Sequence, residues 1–131
     1  MFALEMKGVK GKQAQDLAMQ YLGYPYCYGG SSPSGFDCSG FTSYVYKNTV
    51  CSIERVAQAQ FDTTTRVSRD ELLPGDLVFF GSSAYSISHV GIYVGDGQFI
   101  HAPHTGDVVK YDSLSGSSAT RFQGGGRVIF D

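Results

Sequence analysis

The first quarter of the chain carries an apolar stripe at helical spacing. The stripe recurs at i, i+3, i+4, i+7 and i+8 and consists of Ala14, Leu17, Ala18, Tyr21 and Leu22. This spacing predicts an amphipathic helix whose apolar side packs on a core. Gly23 and Pro25 follow directly, and both residue types are typical of a helix end.

Two more helices are predicted between residues 37 and 61. Asp37 is a good N-cap, and the apolar residues after it recur at helical spacing, so a second helix is expected from Cys38 to about Lys47. Ser52 is a candidate cap for a short third helix. The apolar residues of that helix are Ile53, Val56, Ala57 and Phe61.

Beyond Pro74 and Gly75, a turn signal, the apolar runs become short and rich in β-branched residues, which is typical of strands. The predicted strands are Leu77 to Phe80, His89 to Val94, Gln98 to Ala102, Val108 to Tyr111 and Gly126 to Phe130. Helices in the N-terminal half packed on a C-terminal antiparallel sheet make an α+β fold. The length is that of one domain, assigned to residues 1–131. The stretch from Ser113 to Ser118 is interpreted as a surface loop.

Cys38 is a candidate catalytic nucleophile. A thiolate, not a thiol, attacks a carbonyl, and the positive end of a helix dipole at this position would favour the thiolate. A histidine can hold the thiol proton and pass it to a leaving amine, provided that another polar group fixes its tautomer. His89 and His101 fit these two parts, so the residues indicate a cysteine hydrolase. His104, in a loop-like stretch, is expected at the surface.

The two histidines lie on consecutive predicted strands joined around Gly95 to Gly97. A base and the residue that orients it must touch, so both side chains must emerge on one face of the hairpin. A plain two-residue turn would send His89 and His101 to opposite faces. We therefore expect a three-residue loop, or a bulge of equal effect, that pairs Tyr93 with Phe99.

Three segments carry a family resemblance: Tyr26 to Gly40, Leu73 to Phe80, and His89 to Ala102. In order and spacing they resemble the NlpC-type family of bacterial cell-wall cysteine peptidases, and the likeness runs from about residue 12 to the C-terminus. The resemblance implies a papain-like fold. It also implies hydrolysis of peptidoglycan stem peptides, usually at the bond between the side-chain carboxyl of D-glutamate and the diamino acid.

The resemblance also assigns roles. Cys38 would be the nucleophile, His89 the base and His101 the orienting residue. Tyr26 matches a tyrosine whose hydroxyl helps the backbone N–H of Cys38 to stabilise the oxyanion.

Four residues are candidates for substrate binding. By resemblance Asp37 would meet the free amine of the L-alanine that begins the stem peptide. Arg55 would hold the α-carboxylate of D-glutamate in a bidentate pair, the alternative being a solvated helix face. Ser39 and Ser88 are further candidates. Tyr28 and Cys27 stand where the family often has tryptophan and an aliphatic residue, which leaves the fine substrate preference open.

Composition narrows the classes of partner. The net charge of -2, without a Lys/Arg cluster, indicates neither nucleic acid nor an anionic membrane surface as a partner. Three cysteines without metal-ligand spacing favour neither a disulfide framework nor a zinc site, so no cofactor is expected. Cys27 and Cys51 are interpreted as inert small hydrophobes.

Localisation follows from the expected substrate. The sequence carries no apolar run of bilayer length and no signal-peptide core near its start. Because the cell wall lies outside the cytoplasm, we expect an excised domain, delivery by other domains or an apparatus, or an unconventional signal.

Two alternatives stay open. The same scaffold supports amidase or acyltransferase chemistry, and Asp37 with Arg55 favours instead a peptide that has a free amine and a free carboxylate. The chain could also be a catalytically silent wall-binding module, which the intact Cys38, His89 and His101 count against.

Overall fold

Helices precede a sheet in this chain. The computed structural model describes residues 2–115 and 120–128, with side chains from residue 10 onward. Within these ranges the α-helices are α1 (Phe2–Gln20), α2 (Cys38–Lys47) and α3 (Ala57–Thr63). A hairpin of two short antiparallel strands, β1 (Ser31–Ser32) and β2 (Gly35–Phe36), stands directly before α2.

The described residues also form one antiparallel sheet of six strands in the order β3-β8-β4-β5-β6-β7. Its strands are β3 (Thr65–Val67), β4 (Leu77–Ser83), β5 (Ser86–Gly95), β6 (Gln98–His101), β7 (Lys110–Ser113) and β8 (Phe122–Arg127). The α+β prediction is confirmed. The hairpin β1–β2 and the strand β3 were not predicted, because their apolar runs are too short to give a pattern.

The bounds of all five predicted strands differ from the observed ones. β4 and β5 run longer than predicted, and β6 ends one residue earlier, at His101. β7 begins at Lys110 instead of Val108, because Val108 forms an isolated bridge with Pro25. β8 begins earlier than predicted, at Phe122, and the predicted end at Phe130 lies outside the described residues. Residues 116–118 of the predicted surface loop also lie outside them.

The helices cover one face of the sheet. Strand β4 shows the alternation of a sheet buried on both sides: Leu77 and Phe79 join the main core, while Val78 and Phe80 join a second cluster. The predicted stripe of α1 meets the main core, where Ala14 and Ala18 are fully buried. The helix ends as predicted, with Gly23 in the left-handed region (φ 90°).

The third helix begins later than predicted. Val56, not Ser52, stands before its first turn, and no side chain caps it. The reason is the fully buried amide of Gln60, whose nitrogen donates to the carbonyl oxygens of Glu54 (2.8 Å) and Ser39 (3.1 Å). The two bonds hold the segment before α3 against α2, and the one to Glu54 occupies a carbonyl that an earlier helical turn would use.

A buried ion pair joins the last strand to the start of β4. The Asp76 carboxylate accepts from Nε (2.9 Å) and Nη2 (2.7 Å) of Arg127 and from the backbone N–H of Leu73 (2.8 Å). Asp76 is 4% exposed. Removing Asp76 would leave the charge of Arg127, whose side chain is 25% exposed, without its partner.

We expect Asp76→Asn to lower the free energy of unfolding by about 3 kcal/mol in urea, because Arg127 keeps its charge without its partner. Asp16→Asn, on the exposed side of α1, is the matched control and should change stability by less than about 0.5 kcal/mol. Equal stability of the two variants would show that the ion pair does not hold β8 in place.

Candidate active site

Cys38 occupies the first position of α2, and Asp37 fixes where that helix begins. Asp37 has an extended backbone, and its side chain accepts a hydrogen bond from the N–H of Gly40 at 2.6 Å. The helix therefore starts at Cys38 as predicted and ends at Lys47.

The loop before α2 is packed tightly on the first helical turn. The carbonyl oxygen of Gly30 accepts from the N–H of Asp37 (2.9 Å) and lies so close to Gly40 that a β-carbon there would be 1.9 Å from it. Only glycine fits position 40. This contact fixes the loop that carries Tyr26 relative to Cys38.

Tyr26 lies close to the thiol. Its N–H donates to the carbonyl of Asp107 (3.0 Å), and its backbone bridges to Phe36. Burial raises the pKa of the Tyr26 hydroxyl, and the neighbouring Cys38 and Asp37 groups raise it further. Tyr26 therefore stays a hydrogen-bond donor beside Cys38, as its predicted role requires.

The two predicted histidines touch. Nε2 of His89 lies 2.6 Å from Nδ1 of His101. Tyr93 pairs with Phe99 as predicted, and the register shifts between Tyr93 and Gly95. The turn itself is the two-residue type, with Asp96 (φ 54°) and Gly97 (φ 74°) both left-handed. The bulge supplies the extra residue that brings both histidines to one face, which confirms the prediction.

The Cys38 thiol lies against the strand that carries His89. Burial raises the pKa of the Cys38 thiol first and the Asp37 carboxylate second, while backbone N–H groups of Val90, Ser39 and Cys38 lower it. The net shift is upward. The helix-start N–H groups of Ser39 and Cys38 act in the predicted direction, but burial and a neighbouring carboxylate outweigh them.

Both imidazoles are neutral near pH 7. Burial lowers the pKa of His89 and of His101, and for His89 the charge of His101 lowers it next. Neutral imidazole is the form that can accept a proton. The resting site therefore holds a thiol at the backbone of Val90 and a pair of neutral imidazoles on β5 and β6.

Asp37 and Arg55, predicted to bind opposite ends of a substrate, bind each other. Nη1 and Nη2 of Arg55 lie 3.1 and 2.9 Å from the two carboxylate oxygens of Asp37. The same nitrogens also donate to the hydroxyl of Ser39 (3.0 Å) and the carbonyl of Gly30 (3.4 Å). The planar fork of the guanidinium is thus occupied in this state. Sequence reasoning missed this pair because it joins residues far apart in sequence.

A polar cavity of about 410 Å³ opens beside Arg55. It is bounded by α2, by the segment before α3 and by β1, through Ser31, Ser43, Tyr44, Lys47, Asn48, Ser52, Ile53 and Arg55. The fourth substrate-binding candidate, Ser88, is exposed on β5 next to His89. The structure therefore groups Asp37, Ser39 and Arg55 at the helix start and keeps Ser88 on the strand.

The three cysteines of the chain lie within the described residues and are free thiols. Cys51 is half-buried, but Cys27 is exposed, so Cys27 does not pack as the small hydrophobe that was predicted. The tight loop turns Cys27 outward beside Tyr28, which is 89% exposed. His104 is exposed as predicted.

Within the described ranges, no three acidic, histidine or cysteine side chains converge as metal ligands would. The helices that the structure describes also include none with the length and apolar character of a membrane span.

The fold is α+β, with a cysteine at the start of a helix and a pair of histidines on the sheet. This combination is that of a papain-like cysteine peptidase scaffold. The chain belongs to the NlpC/P60 family, whose family model matches residues 23–127.

Relatives and solved structures agree with this assignment. The chain is 49% identical to the probable endopeptidase p60 of Listeria innocua over 112 residues, which cover 85% of this chain and 23% of that protein. It is 45% identical over 109 residues to the murein DD-endopeptidase MepH of Escherichia coli, with 79% and 40% covered. The crystal structure of the NlpC/p60 domain of the peptidoglycan hydrolase SagA superposes with a TM-score of 0.82 at 38% identity, covering 90% of this chain and 98% of that one. The chain thus spans less than half the length of these curated relatives.

Because the thiol pKa is raised above its usual 9.0, we expect the rate of alkylation of Cys38 by iodoacetamide to keep rising with pH up to and beyond pH 9. The thiol is protonated below its pKa, so the reactive thiolate accumulates only as pH rises through it. The measurement uses a Cys27→Ser/Cys51→Ser background, so that Cys38 alone reacts. A rate already maximal at about pH 6 would indicate a resting thiolate–imidazolium pair instead.

Proposed function

We propose that this chain is the catalytic domain of a cysteine endopeptidase that cleaves peptidoglycan stem peptides. The observation that carries the proposal is the 2.6 Å contact between His89 and His101, together with the half-buried Cys38 at the start of α2, whose thiol lies against Val90, the residue after His89. The names of the relatives, which are endopeptidases and a peptidoglycan hydrolase, support the same substrate class.

The proposed reaction begins with proton transfer. Nε2 of His89 faces His101, so Nδ1 is the nitrogen left to accept the proton of the Cys38 thiol. The thiolate then attacks the carbonyl carbon of the scissile amide. The backbone N–H of Cys38 and the hydroxyl of Tyr26 stabilise the oxyanion that forms.

The second half of the reaction restores the enzyme. Protonated His89 gives its proton to the leaving amine, and a thioester between Cys38 and the acyl group remains. Water, deprotonated by His89, attacks the thioester carbonyl, and the C–S bond breaks to release the new carboxyl group. The departing Cys38 thiolate takes the proton back from His89, which restores the thiol and the neutral imidazole. Starting from a neutral pair suits this cycle, because charge appears in the buried site only when the substrate has displaced water.

We propose the bond between D-glutamate and the diamino acid as the one cleaved, as the family resemblance implies. A second candidate is a D,D-peptide bond, because the relative at 45% identity is named a DD-endopeptidase. Mass spectrometry of purified muropeptides after incubation separates the two, since each bond gives fragments of different mass. An amidase would release the whole stem peptide from its sugar, and a silent wall-binding module would leave every mass unchanged.

We expect Cys38→Ala and Cys38→Ser to abolish muropeptide cleavage while circular dichroism stays native, because the thiol does the chemistry and Asp37 still caps α2. The control is the double variant Cys27→Ala/Cys51→Ala, whose turnover should stay within a few-fold of the parent. Product masses that still appear with Cys38→Ser would remove the nucleophile assignment.

We propose that Asp37, Ser39, Arg55 and Ser88 bind the acyl side of the substrate, as predicted. The closed Asp37–Arg55 pair adds a condition, because a substrate carboxylate reaches the guanidinium fork only by displacing Asp37. Arg55 is itself 41% exposed in its side chain, so a substrate has access to it.

We expect Arg55→Lys to lower kcat/KM by about 10-fold or more, since one ammonium cannot replace a fork that serves Asp37, Ser39 and Gly30 together. A rise in KM alone supports a substrate clamp, and a fall in kcat alone supports a role in holding Asp37. Arg121→Lys, at an exposed arginine before β8, is the matched control and should be neutral. Unchanged kinetics for Arg55→Lys would show that Arg55 does not bind substrate and is only a solvated surface residue.

A further inference from the structure

One buried atom of the histidine pair is not satisfied by the contacts described so far. Nδ1 of His101 faces His89, but its Nε2 has no hydrogen-bond partner among the described residues. His101 is 5% exposed. Buried polar nitrogens are nearly always paired, so this one indicates a partner that the site needs.

Asp112, on the neighbouring strand β7, faces that nitrogen. Its Oδ2 lies 3.5 Å from Nε2 of His101, slightly beyond ordinary hydrogen-bond length. Its other oxygen, Oδ1, accepts from the N–H of Ser113 at 2.8 Å, which orients the carboxylate. The strand pairing that brings β7 beside β6 thus directs one carboxylate oxygen at His101.

We propose that Asp112 is a positioning residue that fixes the tautomers of both histidines. The proposal rests on the function proposed above, because it concerns how His89 is prepared to act as a base. It extends the Cys38–His89–His101 arrangement by one residue, which touches neither the substrate nor the thiol.

The tautomer argument has two cases, because at 2.6 Å a single proton lies between the two ring nitrogens. In the first case His101 carries its proton on Nε2, toward the Asp112 carboxylate, and its Nδ1 accepts from Nε2 of His89. Nδ1 of His89 is then a free acceptor for the thiol proton. This is the productive state.

In the second case His101 carries its proton on Nδ1 and donates it to Nε2 of His89. The lone pair on Nε2 of His101 would then face the Asp112 carboxylate, with repulsion and no donor. His89 would hold its own proton on Nδ1, so it could not accept the thiol proton. Asp112 disfavours the unproductive state and favours the productive one.

Charge acts in the same direction. Burial lowers the pKa of His101 and of His89, and Asp112 acts against that shift for both rings. The other groups whose charge bears on His101 are Lys110 on β7 and Asp107 and His104 in the loop before it. Asp107 is paired with Lys110 at 2.8 Å, so Asp112 is the carboxylate directed at the histidines.

Nitrogen-15 NMR of the imidazoles tests the proposal without any substrate. In the parent protein, with His104→Gln to simplify the spectrum, both His89 and His101 should be Nε2–H tautomers. Asp112→Asn offers an amide in place of the carboxylate and should give mixed tautomers. A parent spectrum with the His101 proton on Nδ1 overturns the proposal, even if the variant fails to fold.

Kinetics supply the second measurement. Asp112→Asn should lower kcat by about 10-fold to 100-fold, part of what a general base contributes, with KM within about 2-fold. The acid limb of kcat/KM should move to lower pH, because the group that raises the imidazole pKa values is gone. Asp112→Glu should restore part of kcat. Asp16→Asn, at an exposed carboxylate on α1, is the control that should leave kcat and the acid limb of kcat/KM unchanged.

An unchanged kcat, pH limb and tautomer in Asp112→Asn would overturn the positioning role. If the tautomers are as expected and no muropeptide is cleaved by the parent, the proposed function fails while the positioning role stands.

Discussion

The carboxylate of Asp37 is the interaction on which the arrangement of the site depends. One oxygen accepts the N–H of Gly40 and so sets the residue at which α2 begins. Both oxygens bind Arg55, which ties the segment before α3 to the same point and reaches on to Gly30 in the preceding loop. Three stretches of chain far apart in sequence therefore meet at one acidic group, directly beside the reactive thiol. This also explains why Asp37 is half-buried without being destabilising, since every oxygen has a donor.

The second constraint is the burial of the Cys38, His89 and His101 side chains. Cys38 and both histidines are buried enough that burial, not neighbouring charge, is the leading cause of each pKa shift. The Cys38 thiol and the two imidazoles are neutral at rest, so the proposed proton transfer depends on fixed dipoles and correct tautomers. For the proposed proton transfer, the relative position of the two imidazole rings consequently matters more than the net charge of the domain.

Sequence patterns were sufficient where the contacts are local. The cap at Asp37 and the extent of α2 follow from residues within a few positions of one another. The same-face register of His89 and His101 was predicted instead from the requirement that a base touch the residue that orients it. The start of α3 was wrong because a buried Gln60 amide captures the carbonyl of Glu54, and Gln60 was unremarkable by pattern. The Asp37–Arg55 pair and the approach of Asp112 to His101 depend on how the loop before α2 and β7 pack, which periodicity does not describe. The family resemblance implied the roles of Cys38, His89 and His101, whereas their contacts with other residues could be described only from the structure.

The position of β8 has a consequence for how the domain is made. This strand, formed by residues 122–127, lies between β3 and β4, so β3 has no partner in the sheet until β8 arrives. During synthesis the sheet therefore keeps an open edge on β4 until residues 122–127 have been made. Among the described elements β8 is the last in sequence, so the sheet can close only when that strand is available.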